Sequence, residues 1–224
     1  MESIARYGAR APKKKHGALT AVLVVLAVLL AAVGTVSALA FSDPYAGRGL
    51  ESVAPSDELP QLLAKAAVSG KEATFSENEV NGYLAYLFRK YEAGKKSGGI
   101  APQAVAVADA SEDSADLYLP VVTHGKRFGV SLNVTPSLDA GAGKLRFRVS
   151  SARVGRLPVP VGWVLAKAES RLPEGLGRDG DSVSCAVPAL KAEFGGVTAS
   201  AGLTQLRLSD GKLTLAAGAS VTVG

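Results

Sequence analysis

The chain has 224 residues, 47% of them apolar and 20% charged, with a single cysteine and a formal net charge of +5. Five of its 25 basic side chains (Arg6, Arg10, Lys13, Lys14, Lys15) and one of its 20 acids (Glu2) precede an uncharged stretch at residues 17–42, leaving 20 bases against 19 acids elsewhere. The basic excess belongs to the tail and is no evidence for nucleic-acid binding, which needs a basic face on the folded part, and a lone Cys185 excludes an internal disulfide.

Within the uncharged stretch, Ala21–Val33 is an unbroken apolar run. As a helix, residues 17–42 would reach about 39 Å, more than the bilayer core of about 30 Å. Positive charge clustered before such a run directs the N-terminus to the cytoplasm. The sequence therefore predicts a cytoplasmic basic tail over 1–17, a transmembrane anchor over 18–41, a Gly-, Ser- and Pro-rich linker over 42–55 and an extracytoplasmic domain over 56–224. A cleaved signal peptide ending near Ser37-Ala38-Leu39-Ala40 is the alternative.

The first helix of the exported part is expected from Asp57, capped by Ser56, with Leu59, Leu62, Leu63 and Ala66 on one face and a stop at Ser69-Gly70. Glu72–Phe75 reads as a short strand. Ser76-Glu77-Asn78-Glu79 is then a capping box, in which the Ser76 hydroxyl accepts from the Glu79 amide and the Glu79 carboxylate reaches back to that of Ser76. The helix it opens carries Val80, Leu84, Leu87 and Tyr91 at spacings of three and four, flanked by Tyr83 and Phe88, and ends before Gly94.

From Ala101 the period becomes alternating. Val105 and Val107, Leu117 and Leu119, Phe128 through Val134, and Leu145 through Val149 read as half-buried antiparallel strands. Breaks are expected at Ser111–Ser114, at Thr123–Lys126 and from Pro136 through Gly143. Such short turns make a meander, with no room for crossover helices. A Pro-started helix follows on Val161, Val164, Leu165, Ala168 and Leu172. Trp163 lies off that stripe, placed to cover a sheet edge or the membrane surface. Val183–Val187 and a hairpin of Leu206/Leu208 with Leu213/Leu215 through Asp210-Gly211 complete the chain. The predicted fold class is α+β: an N-terminal transmembrane helix, then a curved antiparallel meander packed with two or three helices.

No catalytic constellation emerges. There is no Gly-x-Ser-x-Gly elbow, Walker A pattern, CxxC or HExxH. One exported histidine, His124, and one cysteine do not make a zinc site, and Glu112/Asp113 and Asp179/Asp181 fall in turns. Catalytic residues, metal and cofactor are all expected to be none. Lys144, Arg146 and Arg148 alternate with apolar neighbours, so three cations share one sheet face as candidate contacts to an anionic surface. Leu84, Leu87, Phe128, Val130, Leu132, Leu145, Phe147, Val164 and Leu165 form either a filled core or the lining of an acyl groove.

Three stretches, Phe75–Leu87, Val154–Pro173 and Leu203–Leu215, resemble in order and spacing the YpmS-like family of bacterial membrane-anchored proteins. The resemblance spans most of the chain and rests on a cap, a Pro-started helix and a hairpin. It implies an elongated α+β domain facing outward from the membrane, similar to tubular lipid-binding folds, and brings no reaction with it. The expected function is thus a non-enzymatic, single-pass membrane protein of the cell envelope. It would bind a hydrophobic or lipid-like ligand or support envelope assembly, with membrane, lipid or envelope polymer as partners. A purely structural or protein-interaction module with a closed core is the alternative.

Overall fold

A computed structural model describes residue 31 and residues 35–92, 100–123, 125–169, 172, 175–187, 190–194 and 197–223. Most of the expected transmembrane anchor, the end of the second helix at Gly94, His124 and the residues just after the third helix lie outside the described residues. Among the described residues no helix is long and apolar enough to cross a membrane. The residues from Leu39 onward form one compact unit. It is α+β, with antiparallel sheets and short helices.

A 3-10 turn (Leu50–Ser52) and α1 (Glu58–Val68) come first. The Ser56 hydroxyl accepts from the Glu58 amide at 3.3 Å, and the helix closes on bonds from Ser69, Gly70 and Lys71 to the last-turn carbonyls. Strand β1 (Ala73–Ser76) leads into α2 (Glu77–Glu92) through the predicted capping box. Its reciprocal bonds measure 2.8 Å from the Ser76 amide to the Glu79 carboxylate and 3.4 Å from the Glu79 amide to the Ser76 hydroxyl.

The meander follows: β2 (Ile100–Pro102), β3 (Ala106–Ala110), β4 (Ala115–Thr123), β5 (Lys126–Asp139), β6 (Lys144–Val154) and β7 (Leu157–Val159). After α3 (Val161–Glu169), β8 (Leu176–Asp179) and β9 (Ser182–Ala186) form a hairpin whose β9 pairs with β6. The larger sheet runs β2-β4-β5-β6-β9-β8, with β3 on β4 and β7 on β6. A second sheet, β1-β12-β11-β10, is built by β10 (Leu190–Phe194), β11 (Val197–Ser209) and β12 (Lys212–Val223). The expected hairpin is its centre: Asp210 and Gly211 both take positive φ, 48° and 70°, as the tight turn requires.

Two expectations are corrected. The break predicted from Pro136 is later, because β5 continues through Pro136 to Asp139, paired with β6. Beyond Val134 β4 no longer flanks β5, so a proline without an N–H fits an edge there. The single sheet is two sheets, because β1 pairs with β12 rather than with the meander.

Two apolar clusters organise the unit. Val107, Ala115, Val134, Val149 and Leu165 form one, joined by Val80, Leu84, Leu117, Leu132, Phe147, Val161 and Leu208. Ala73, Phe75 and Leu215 form the other, under Leu59, Leu63 and Ala66 of α1. Val80 touches both, so α2 bridges the two sheets. Burying a side chain such as Phe75, 1% exposed, is worth roughly 1.5–3 kcal/mol.

Candidate functional site

The segment after the apolar run, expected as the end of the anchor up to residue 41 and as a linker from 42, is fastened to the polar face of the larger sheet. Residues 35–41 are helical, and the end of that helix meets the β6–β7 turn. The Arg156 amide donates to the Leu39 carbonyl at 2.8 Å, and Gly155 donates to Gly129 on β5 at 2.7 Å. Gly155 has φ 60°, and a Cβ there would overlap the carbonyl oxygens of Leu39, Ala40 and Ser42. Gly129 leaves the adjacent hollow: a Cβ would come within 2.6 Å of the Tyr118 ring and 2.9 Å of the Asp43 carboxylate. Strand β5 and the β6–β7 turn thus use glycine to seat the incoming chain.

Charged and aromatic groups complete the fastening. The Tyr118 hydroxyl, on a side chain 1% exposed, donates to Asp43. The Tyr45 hydroxyl donates to Asp116 at 2.7 Å, and the two tyrosine rings meet edge to face at 5.2 Å. Arg127 lies 2.6 Å from Glu51, 3.9 Å from Asp43 and 3.5 Å from the Tyr118 oxygen. Asn133 extends the network from Asp116, at 2.8 Å, to Ser150, at 2.5 Å. Burial, then the hydrogen bond to a carboxylate, pushes both phenols up to about 12, Tyr45 against Asp116 and Tyr118 against Asp43. The Glu51 carboxylate raises Arg127 further above its already high value. Such a network orders chain.

The predicted cations occupy the open part of the same face. Lys144, Arg146 and Arg148 are exposed and alternate with inward Leu145, Phe147 and Val149. In register beside them stand Asp139, Ser137 and Thr135 on β5 and Ala186, Ser184 and Ser182 on β9. Arg146 lies 3.6 Å from Asp179, with both side chains more than half exposed.

Of the residues expected in a core or groove, Leu165 is buried, and Leu84, Leu132 and Phe147 pack around the same cluster. Val130, Leu145 and Val164 are half-buried. Phe128 meets the Phe41 ring edge to face at 6.4 Å, and Leu87 is 40% exposed. None of the nine lines the cleft under α1. That cleft, about 490 Å³, lies between the 3-10 turn, α1, β1 and α2, where Leu59, Leu62 and Phe75 meet Glu58, Asn78 and Glu79. Its wall is held by the Ser56 amide, which donates to the Gly82 carbonyl at 2.9 Å.

Cys185 stands in β9 as the alternation predicts, half-buried, and burial pushes its thiol up, away from thiolate. Trp163 is 56% exposed. Among the described residues no three His, Cys, Asp or Glu side chains come together as metal ligands. The fastening residues Asp43, Tyr45, Glu51, Tyr118 and Arg127 escaped the sequence reading. The available signal was the presence of Phe41 and Tyr45 in a stretch otherwise made of linker residues. No family model, no curated protein and no solved structure matches the chain.

Proposed function

We propose that the chain is a single-pass protein of the cell membrane, with its N-terminus cytoplasmic and its α+β unit extracytoplasmic, acting as a non-enzymatic interaction or scaffolding module. The observation that carries this reading is the fastening of residues 39–51 to the sheet a few residues after the apolar run. A carrier that must reach far from its anchor gains nothing from ordering its tether. A module that presents a fixed face at a set height does. The packing of Leu84, Leu132, Phe147 and Leu165 into one cluster favours a core filled by protein.

A second reading, binding of a lipid-like molecule, is favoured by the cleft under α1. Its volume of about 490 Å³ falls in the range of small-molecule sites, and Leu59, Leu62 and Phe75 give it apolar walls. Two measurements on the full chain separate the readings. Alkaline carbonate washing of membranes should leave the protein in the pellet; release into the supernatant would defeat the anchored reading. Native mass spectrometry from lipid nanodiscs should show the bare chain, while a retained lipid that Leu62→Glu abolishes would favour the second reading.

A further inference from the structure

We infer that the end of the larger sheet carrying the β4–β5 hairpin and the β6–β7 turn rests on the membrane and binds anionic phospholipid headgroups through Lys126 and Arg156; this rests on the anchored reading above. The fixed point is Leu39. From there the chain runs back toward its apolar run at residues 21–33, and Leu39 is held against the β6–β7 turn by the Arg156 amide. Only residues 34–38 separate Leu39 from the apolar run in the chain, so a membrane that receives that run lies within a short reach of this end of the sheet.

The side chains exposed there suit an interface. Leu39 and Phe41 are 37% and 46% exposed, and the Lys126 ammonium stands 5.1 Å from the centre of the Phe41 ring. Exposed apolar and aromatic groups beside cations are what the boundary between headgroups and acyl chains accepts. The acids on hand are committed: Asp43 and Glu51 both face Arg127. Among the described residues neither Lys126 nor Arg156 has a carboxylate within ion-pair distance, and both are exposed. Two unneutralised cations on an already tethered domain match an anionic leaflet.

The same geometry reassigns the cationic row on β6. Lys144 and Val154 are the two ends of that strand, which places Lys144 roughly 33 Å from the β6–β7 turn. Lys144, Arg146 and Arg148 therefore sit on the part of the face leading away from the bilayer. The membrane contact belongs to Lys126 and Arg156.

The test uses the full chain in nanodiscs, with Cys185→Ala and one environment-sensitive probe attached at Lys126→Cys, Arg156→Cys or Lys144→Cys. Quenching by lipids spin-labelled at the headgroup is measured in phosphatidylcholine containing one third phosphatidylglycerol. Probes at 126 and 156 should be quenched at least threefold more than the probe at 144, and the contrast should fall at least twofold in pure phosphatidylcholine. Equal quenching at all sites, or strongest quenching at 144, overturns the inference; a contrast independent of anionic lipid both in the 126 variant, which keeps Arg156, and in the 156 variant, which keeps Lys126, overturns the role of the two cations. Carbonate extraction of the same variants distinguishes the failures. A chain that stays in the pellet with an unquenched probe at 126 sinks only this inference, whereas a chain that is released sinks the anchored reading with it.

Discussion

The side-chain amide of Asn81 forms two hydrogen bonds with the backbone of Val107, donating to its carbonyl at 2.9 Å and accepting from its amide at 2.6 Å. Val107 stands at a bulge in β3, where pairing with β4 slips before Asp109. Asn81 is 2% exposed, so the helix supplies to this strand edge the partner that another strand would have supplied. Replacement by Leu leaves a buried N–H and C=O without partners, at about 1–3 kcal/mol each. Asn81→Leu should lower unfolding free energy by about 2–4 kcal/mol in denaturant titration. A loss below 0.5 kcal/mol would show that water replaces the amide.

Gly155 and Gly143 share a positive φ, 60° and 59°, yet only Gly155 faces the incoming segment; nothing lies within 4 Å of a Cβ at Gly143. Alanine at either site should cost about 1 kcal/mol through backbone strain. Gly155→Ala should in addition release residues 39–51, read as faster trypsin cleavage after the exposed Arg48. Equal cleavage rates in the two variants would mean that the glycine seat does not hold the segment.

Tyr45 and Tyr118 are shifted up to about 12 by burial and by their carboxylate partners. An acid whose folded value exceeds its unfolded value, about 10 for tyrosine, favours folding fully below pH 10. That contribution is lost as pH rises from about 10 through about 12, because the unfolded chain ionises first. Tyrosinate absorbance should show late-titrating phenols, and Tyr118→Phe should remove one of them. Loss of both late phases on Tyr45→Phe alone would mean that the two phenols titrate as a unit.

Glu79 is held below the usual carboxylate range by hydrogen bonds from the Ser76 hydroxyl and amide. The depressed value makes its contribution present above the ordinary carboxylate pKa and lost as pH falls through the folded one. Ser76→Ala should cost about 1 kcal/mol at neutral pH, and Glu79→Gln should flatten the acid limb of the stability profile. An unchanged acid limb would place the pH dependence elsewhere.

The Arg146–Asp179 pair, with side chains 57% and 71% exposed, should contribute under about 1 kcal/mol. Arg146→Gln should therefore shift thermal unfolding by no more than a few degrees. A larger loss would assign the cationic row a structural task.

The capping box at Ser76 and Glu79, the Asp210-Gly211 turn and the alternation of Lys144–Val149 were legible in the sequence because each is decided within a few residues. The basic tail and uncharged run likewise set the membrane expectation from composition alone. Only the tertiary structure decided that Thr74 meets Thr214, 140 residues away, or that Asn81 completes the edge of β3. The polar network was illegible for the same reason. Asp43, Tyr45 and Glu51 have ordinary linker neighbours, and their partners Tyr118, Asp116 and Arg127 lie 71 to 76 residues further on. Local propensity carries no information about such pairs. What joins them is the hollow left by Gly129 and Gly155, which exists only when β5 and β6 are side by side.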